Sequence, residues 1–318
     1  MSYVRWLRKK VVLNKFIALE SLNTVVYFRL KDGSLKLADL DNKASESLKL
    51  LYLNHLNHEI LNKKDLKISL FSQHDDRKNV IYEYDFNETI QPLDCIKVSI
   101  NSPEQLFFDF NTAKITDIDA VLVVLKNSNN YIAFYSKVYP PTFITQSKVL
   151  KLIPSHQKLS VFDGELLQFN GKFDVVYYDD TFIIVNHSIL EKFYKFNELI
   201  IKKAKSCVSS KIMSSLIMDK ALLESLIHSD ISFSRKFVKA MQHSKVIQKC
   251  IPVDSIINFV RKHNILSHKL KFNTNNTKFI LPTKTACKHF VKLLDDDYLY
   301  SELTGTQYDA VAKDDLKI

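Results

Sequence analysis

The chain has 318 residues, 46% hydrophobic and 25% charged, which is the balance of a folded protein long enough for two domains. Its four glycines stand at positions 33, 164, 171 and 305, so the closely spaced glycines of a phosphate-binding loop, a dinucleotide fingerprint or a nucleophile elbow are absent. The net charge of +10 favours anionic partners. Because the nucleotide-binding motifs are absent, neither a cofactor nor a small-molecule substrate is expected.

Residues 1–187 show the alternation of strands and turns that is typical of an α+β domain. Two apolar runs joined by Asp32-Gly33 predict an antiparallel hairpin over 24–37. A helix is predicted between Lys43 and Asn62, with an apolar face formed by Tyr52, Leu53, Leu56 and Ile60. Hairpins around the turns 127–130 and 179–180 predict an antiparallel meander.

From Ser188, a candidate N-cap, the chain predicts a mainly helical domain over 188–318. Its first helix is predicted to continue to Val208, with an apolar face opposite Lys192, Lys195, Lys202 and Lys203. Further helices are predicted within 211–250 and from Asp254 towards Asn264. A basic hairpin is predicted over 268–281, and a helix from Thr285 to Leu294 follows it. The order helix, basic hairpin, helix could form a winged-helix-like DNA-binding domain, with the hairpin along a phosphate backbone.

Charge divides the chain into three parts. Residues 1–191 carry 23 basic and 23 acidic side chains, residues 192–294 carry 20 and 5, and residues 295–318 carry 2 and 7. No acidic residue occurs between Ser255 and Leu294. Such an excess of cations repels itself unless a polyanion is near, and nucleic acid is the usual partner because bound phosphates release counterions. The alternative is a basic surface that only keeps the protein in solution.

The reactive side chains give little sign of catalysis. Four cysteines without a CxxC, no secretory signal and no stretch of ~20 apolar residues predict a cytoplasmic chain with free thiols and no structural metal. His55 and His58 are interpreted as surface histidines. A metal-dependent nuclease is the enzyme alternative, because carboxylates near strand ends could hold Mg²⁺. Its candidates are Asp163, Glu165, Asp174, Asp179 and Asp180, without a suitably spaced lysine on the neighbouring strand.

Two stretches of the sequence resemble a known family. The hairpin Gly171-Lys172-Phe173-Asp174-Val175-Val176-Tyr177-Tyr178-Asp179-Asp180-Thr181-Phe182-Ile183-Ile184-Val185-Asn186, leading into Leu190-Glu191-Lys192-Phe193, resembles the signature of the KwaB family. The family belongs to the Kiwa anti-phage defence system. The run from Leu293 to Tyr308, with Lys313 beyond it, resembles the family's closing motif. The likeness extends from Ile118 to Lys313, and Leu190 departs from it where the family often has an aromatic residue.

The resemblance implies a non-enzymatic DNA-binding protein that acts with the membrane protein KwaA against phage DNA transactions. It also implies recruitment to the inner membrane by that partner, and it brings no catalytic residue. A homodimer is one assembly that the chain could form. The acidic triplet at 295–297 is expected to pair with cations of the same chain or to contact another protein.

We therefore expect double-stranded DNA to be bound through its phosphates by the basic domain. The predicted contacts are Lys192, Lys195, Lys202, Lys203, Arg235, Lys239, Arg261, Lys262, Lys269 and Lys271. Two alternatives stay open at this point. One is the nuclease, and the other is an interaction module whose basic half docks to a protein or to anionic lipid.

Overall fold

The fold is described from a computed structural model of the chain, over residues 2–17, 22–73, 78–101, 106–127, 130–139, 143–144, 152–155, 158–161, 166–301 and 303–310. The described residues form two compact units. Unit 1 comprises Met1–Phe71 and Lys78–Tyr194, and unit 2 comprises Ser72–Arg77 and Lys195–Ile318.

Unit 1 contains most of the strands. Its helices are α1 (Ser2–Ile17), α2 (Asn42–Leu56), α3 (Gln91–Asn101) and α4 (His187–Phe193). Its strands are β1 (Asn23–Leu30), β2 (Leu35–Leu37), β3 (Lys67–Leu70), β4 (Val80–Glu83), β5 (Ile118–Lys126), β6 (Tyr131–Lys137), β7 (Phe143–Ile144), β8 (Leu152–Ser155), β9 (Lys158–Val161), β10 (Leu166–Leu167), β11 (Val175–Tyr178) and β12 (Thr181–Ile184).

An eight-stranded sheet in the order β2-β1-β5-β6-β11-β12-β4-β3 forms the centre of unit 1. All its neighbours pair antiparallel except β3 and β4, which are parallel. The predicted α+β class, the three hairpins and the meander β5-β6-β11-β12 are therefore confirmed. The middle strands are rich in Val, Ile and aromatic residues because side chains on both of their faces are buried.

The predicted helix near the N-terminus is α2, followed by a single π-helical turn over Asn57–Leu61. It begins at Asp41, whose side chain accepts a hydrogen bond from the Ala44 N–H. Tyr52, Leu56 and Ile60 are buried, as their helical spacing predicts. The Tyr52 ring packs on Phe134 of β6, and its burial raises the pKa of its hydroxyl to about 12.

Two turns of unit 1 require residues that tolerate a left-handed backbone. Gly171 has a φ of 72°, and an added Cβ would lie 2.9 Å from the Leu51 carbonyl oxygen, so only glycine fits there. Asp179 and Asp180 have φ values of 51° and 52° in the two-residue turn between β11 and β12. Tight hairpin turns of this kind favour Asp, Asn and Gly.

Unit 2 is mainly helical. Its helices are α5 (Phe196–Val208), α6 (Lys211–Leu216), α7 (Ala221–Ser229), α8 (Ile231–His243), α9 (Lys245–Gln248), α10 (Val253–Lys262), α11 (Leu266–Lys269) and α12 (Lys284–Leu294). Its strands are β13 (Lys271–Phe272), β14 (Phe279–Ile280), β15 (Tyr298–Tyr300) and β16 (Gln307–Asp309), which pair as two antiparallel hairpins.

The predicted single helix from Ser188 to Val208 is wrong. It is two helices, α4 and α5, because Lys195 adopts a left-handed φ of 56° that helical residues cannot share. The N-cap of α4 is Asn186, and the Ser188 hydroxyl donates to the side chain of Asn186 instead. Lys192 and Lys195 therefore do not share a helix face with Lys202 and Lys203.

A buried apolar cluster joins the helices of unit 2, and Phe237, Phe279 and Phe290 are among its fully buried members. Residues 268–269, predicted as strand, form the end of α11 instead. The predicted helices between 211 and 294 are confirmed. Within the part of the chain that the structure describes, every helix is too short or too polar to span a lipid bilayer.

Candidate nucleic-acid interface

The structure places the ten predicted phosphate contacts in several different elements. Lys192 lies at the end of α4 in unit 1, and the other nine belong to unit 2. Seven of the ten side chains are exposed, namely Lys192, Lys195, Lys202, Arg261, Lys262, Lys269 and Lys271. Lys203, Arg235 and Lys239 are half-buried.

Four of the exposed cations form what we call the hairpin cluster: Arg261, Lys262, Lys269 and Lys271. They stand at the end of α10, the end of α11 and the start of β13. The Arg261 guanidinium lies 5.7 Å from the centre of the Phe272 ring, which holds the end of α10 against β13. Among the described residues none of the four forms an ion pair, so their charges face solvent.

A second group of cations lies along one side of α5. Lys202 and Lys205 are exposed and lie three residues apart, opposite the buried Ile200, Ala204 and Val208. Lys205 was missed among the predicted contacts, although its position relative to Lys202 gives it the same solvent-facing side. Lys195, which precedes α5, pairs with Glu198 at 3.5 Å.

Other cations of unit 2 are neutralised by carboxylates, and we call them the paired set: Lys236, Lys239, Lys288 and Lys292. Lys236 pairs with Asp297, and Lys292 pairs with Asp309. Lys239 lies 3.7 Å from Asp295, and Lys288 lies 3.8 Å from Asp230. Two residues of the acidic triplet after α12, Asp295 and Asp297, therefore pair inside the chain, which is one of the two roles predicted for the triplet.

Arg235 and Lys239, one helical turn apart on α8, were predicted to hold neighbouring phosphates. Arg235 donates from Nη2 to the Asn197 side-chain oxygen at 2.8 Å, and Lys239 belongs to the paired set. A phosphate would have to compete with these contacts. The cations of the hairpin cluster have no such contacts to exchange.

The second hairpin of unit 2, β15–β16, has a different surface. Leu299 pairs across the two strands with Tyr308, and both side chains are exposed. Tyr300 is 63% exposed and Leu303, in the turn, is 95% exposed. Large apolar side chains grouped at this exposure are typical of a protein contact and not of a phosphate contact.

The candidate nuclease carboxylates lie apart in the part of the chain that is described. Asp179 and Asp180 belong to the β11–β12 turn, where Asp180 accepts a hydrogen bond from the Tyr177 hydroxyl. Asp174 is held by the Lys137 N–H and the Asn186 amide, both at 2.8 Å, and its burial raises the pKa of the carboxyl. Asp163 and Glu165 fall outside the described residues.

The strand that follows Asp179-Asp180, β12, carries no lysine, but β6, on the other side of β11, carries Lys137. The Lys137 ammonium binds Asp119, which also binds the Arg29 guanidinium and accepts from the Tyr194 hydroxyl at 3.3 Å. The carboxylate is thus surrounded by donors from the protein itself. Among the described residues, no three His, Cys, Asp or Glu side chains converge on a point where a metal ion could sit.

The fold and the exposed cations together define a two-unit α+β protein with a basic helical C-terminal unit. A family model described as "Kiwa protein KwaB-like" matches residues 115–304. The chain is also 32% identical over 294 residues to the Kiwa protein KwaB of Escherichia coli O55:H7 (strain RM12579 / EPEC), covering 92% of this chain and 93% of that protein. No solved structure matches the chain.

The chain therefore belongs to the KwaB family, as the two sequence stretches predicted. Family membership supports a role in anti-phage defence. The matched residues span β5, β6, β11 and β12 of unit 1 and the described helices of unit 2, including the hairpin cluster and the paired set.

Proposed function

We propose that the protein is a non-enzymatic DNA-binding component of an anti-phage defence system. It would bind duplex DNA through the phosphates, with little preference for sequence. One observation carries the proposal: the four cations of the hairpin cluster, on the consecutive elements α10, α11 and β13, are exposed, and no described carboxylate pairs with them. The part of the sequence that contains these four cations, from Ser255 to Leu294, has no acidic residue.

Duplex DNA suits this surface because its charge is dense and independent of sequence. Each bound phosphate releases condensed counterions, and each should contribute about −0.9 to the slope of log affinity against log salt. The two-residue strands of β13–β14 are too short to read several base edges, so we propose that their basic end follows the phosphate backbone.

The test is fluorescence anisotropy with a labelled duplex across a series of salt concentrations. The variant Lys262→Glu/Lys269→Glu should bind at least tenfold more weakly and with a shallower salt slope. Lys43→Glu/Lys64→Glu, a matched pair of exposed lysines in unit 1, should bind nearly as the unchanged protein does. Equal losses in the two variants would show that net charge alone controls binding and would remove the proposed interface.

The non-enzymatic part of the proposal has its own test. Purified protein would be incubated with supercoiled plasmid in Mg²⁺ and, separately, in Mn²⁺. We expect the plasmid to stay intact, because Asp119 is bound by Arg29 and Lys137 and Asp174 is bound by neighbouring donors. Cleavage that disappears in Asp174→Ala would establish the nuclease alternative.

A second candidate function is docking to a protein, which the exposed face of β15–β16 favours. The family resemblance names a membrane protein, KwaA, as partner, and cytoplasmic loops of membrane proteins are rich in Lys and Arg. Residues 295–318 carry 7 acidic and 2 basic side chains, and three of the acids, Asp295, Asp297 and Asp309, pair inside the chain. The sequence of this segment keeps a net negative charge, which a basic loop would match.

Cell fractionation with and without the gene for this membrane partner tests the docking. The variant Tyr300→Ser/Leu303→Ser should leave the membrane fraction while keeping its affinity for DNA. Phe193→Ser, which changes an exposed aromatic of unit 1, is the control. If the variant stays with the membrane fraction, the hairpin is not the docking surface. Binding to anionic vesicles without the partner would support contact with lipid instead.

A further inference from the structure

A row of four aromatic rings lies beside the hairpin cluster. Phe259 of α10 contacts the ring of His263 at 5.7 Å between centres, and His263 contacts Tyr298 at 5.1 Å. Tyr298 stacks on His289 of α12 at 6.3 Å, and its hydroxyl shares a 2.6 Å hydrogen bond with His289 Nδ1. We call these four residues the aromatic row.

The two ends of the aromatic row differ from its middle. His263 and Tyr298 are buried, whereas Phe259 is 43% exposed and His289 is half-buried. Burial fixes the two middle rings, so Phe259 is an exposed ring on a rigid support. An apolar ring held open to solvent in this way can bind a flat partner with little loss of side-chain entropy.

Cations stand at both ends of the row. Lys262 follows Phe259 by three residues on α10, so the two side chains share a helix face. Lys269 and Lys292 act on His289, where burial first and then these two charges lower the pKa of the imidazole. Burial also lowers the pKa of His263. Both rings are therefore uncharged at neutral pH, and the row adds no repulsion between its own members.

An exposed ring flanked by lysines is suited to unpaired nucleotides. A base stacks on an aromatic side chain while the adjoining phosphate meets a cation, and every base offers such a face. In a duplex both faces of a base are covered by its neighbours, so a stacking ring gains nothing there. The combination of ring and cation thus distinguishes single strands from duplex, which the cations alone cannot do.

We propose that Phe259 stacks against an unpaired base while Lys262 and Lys269 hold the flanking phosphates, so that the hairpin cluster prefers DNA with a single-stranded segment. This inference rests on the proposed DNA binding and deepens it. It assigns to one surface both the general affinity for phosphate and a preference for the exposed bases of nicked, gapped or replicating DNA.

The experiment compares a labelled 20-nucleotide strand of mixed sequence with the same sequence as a duplex, by anisotropy at one salt concentration. The unchanged protein should bind the single strand more tightly, by about fivefold or more, the low end of what one stacked base contributes. Phe259→Ala should lose that advantage and keep its affinity for the duplex. Phe259→Trp should retain it, because the larger ring also stacks.

Two controls separate stacking from other losses. A strand with abasic sites keeps every phosphate, so it should bind the unchanged protein as weakly as the normal strand binds Phe259→Ala. Phe193→Ala removes an exposed ring from unit 1 and should change neither affinity. Urea unfolding of Phe259→Ala shows whether the variant keeps its fold, and Phe259→Leu preserves apolar bulk without a ring.

Different outcomes test the stacking role of Phe259 and DNA binding separately. If neither DNA is bound, both proposals fail. If duplex and single strand are bound equally, or if Phe259→Ala and Phe259→Leu weaken both to the same degree, DNA binding stands and the stacking role is overturned. Loss confined to the single strand, in both variants and in the abasic strand, supports it.

Discussion

The hairpin cluster and the paired set both consist of cations of unit 2, but they differ in whether a carboxylate of the chain pairs with them. Arg261, Lys262, Lys269 and Lys271 have no described carboxylate partner. Each lysine of the paired set has one, supplied by Asp230, Asp295, Asp297 or Asp309. Net charge counts both groups equally, but a polyanion meets only the charge that the fold leaves unpaired.

The carboxylates of the paired set also differ among themselves. Asp297 is 1% exposed, so its pairing with Lys236 takes place largely away from water. Asp309 is exposed, and its pairing with Lys292 is screened by solvent and salt. The first pair is part of the structure of unit 2, whereas the second can open when a competing anion arrives. Four measurements follow from this comparison.

Removing the hairpin cluster should have the largest effect. The variant Arg261→Gln/Lys262→Gln/Lys269→Gln/Lys271→Gln should bind DNA on the order of 100-fold more weakly, and its salt slope should become shallower by about 3.6. Lys288→Gln/Lys292→Gln, which removes two members of the paired set, should weaken binding less than about threefold. A larger loss in the second variant would reverse the comparison.

Asp297→Ala should destabilise unit 2, because it leaves the Lys236 ammonium without its buried partner. We expect the free energy of unfolding to fall by about 2–3 kcal/mol, below the full effect of a buried pair since Lys236 is one-third exposed. Asp309→Ala should lower it by less than about 1 kcal/mol. Urea denaturation of both variants measures the difference, and similar losses would contradict it.

Asp309→Asn should release Lys292 and raise the affinity for DNA by roughly two- to threefold, with a salt slope steeper by up to about 0.9. The control is Glu224→Gln, which changes the net charge by the same amount at an exposed acid of α7. An equal gain in the control would mean that net charge matters and that the release of Lys292 does not.

The smallest effect concerns pH. Burial lowers the pKa of His263 in the folded protein, so the unfolded chain takes up the proton at a higher pH. The resulting stability is fully present above the unfolded pKa near 6.5 and is lost as the pH falls through the lower folded value. Urea midpoints between pH 7.5 and pH 5 should therefore decline less steeply in His263→Gln, with the exposed His268→Gln as control.

The elements of this fold could be predicted where local patterns are strong. The hairpins of unit 1 follow from alternating apolar runs around turns such as Asp179-Asp180, and α12 follows from its apolar spacing. The break between α4 and α5 could not be predicted, because Lys195 carries no helix-breaking side chain. Its left-handed φ is visible only in the folded chain, where the residues on either side of it, Tyr194 and Phe196, are both buried.

The candidate site was predicted in part. The cations at 261–271 were identified from the sequence, whereas the pairing of Lys239 and the exposure of Lys205 were not. The aromatic row was also missed, because Phe259, His289 and Tyr298 come from three elements that only packing brings together. Spacing along the chain shows neighbours within one helix and nothing beyond it.

The sequence by itself determined the class of the fold, the basic character of residues 192–294 and membership of the KwaB family. These depend on local periodicity, composition and motifs, which need no knowledge of distant contacts. The tertiary structure alone decided which cations stay unpaired, since an ion pair requires two side chains within about 4 Å whatever their separation in sequence. It also placed Lys137 beside Asp119 and the aromatic row beside the hairpin cluster.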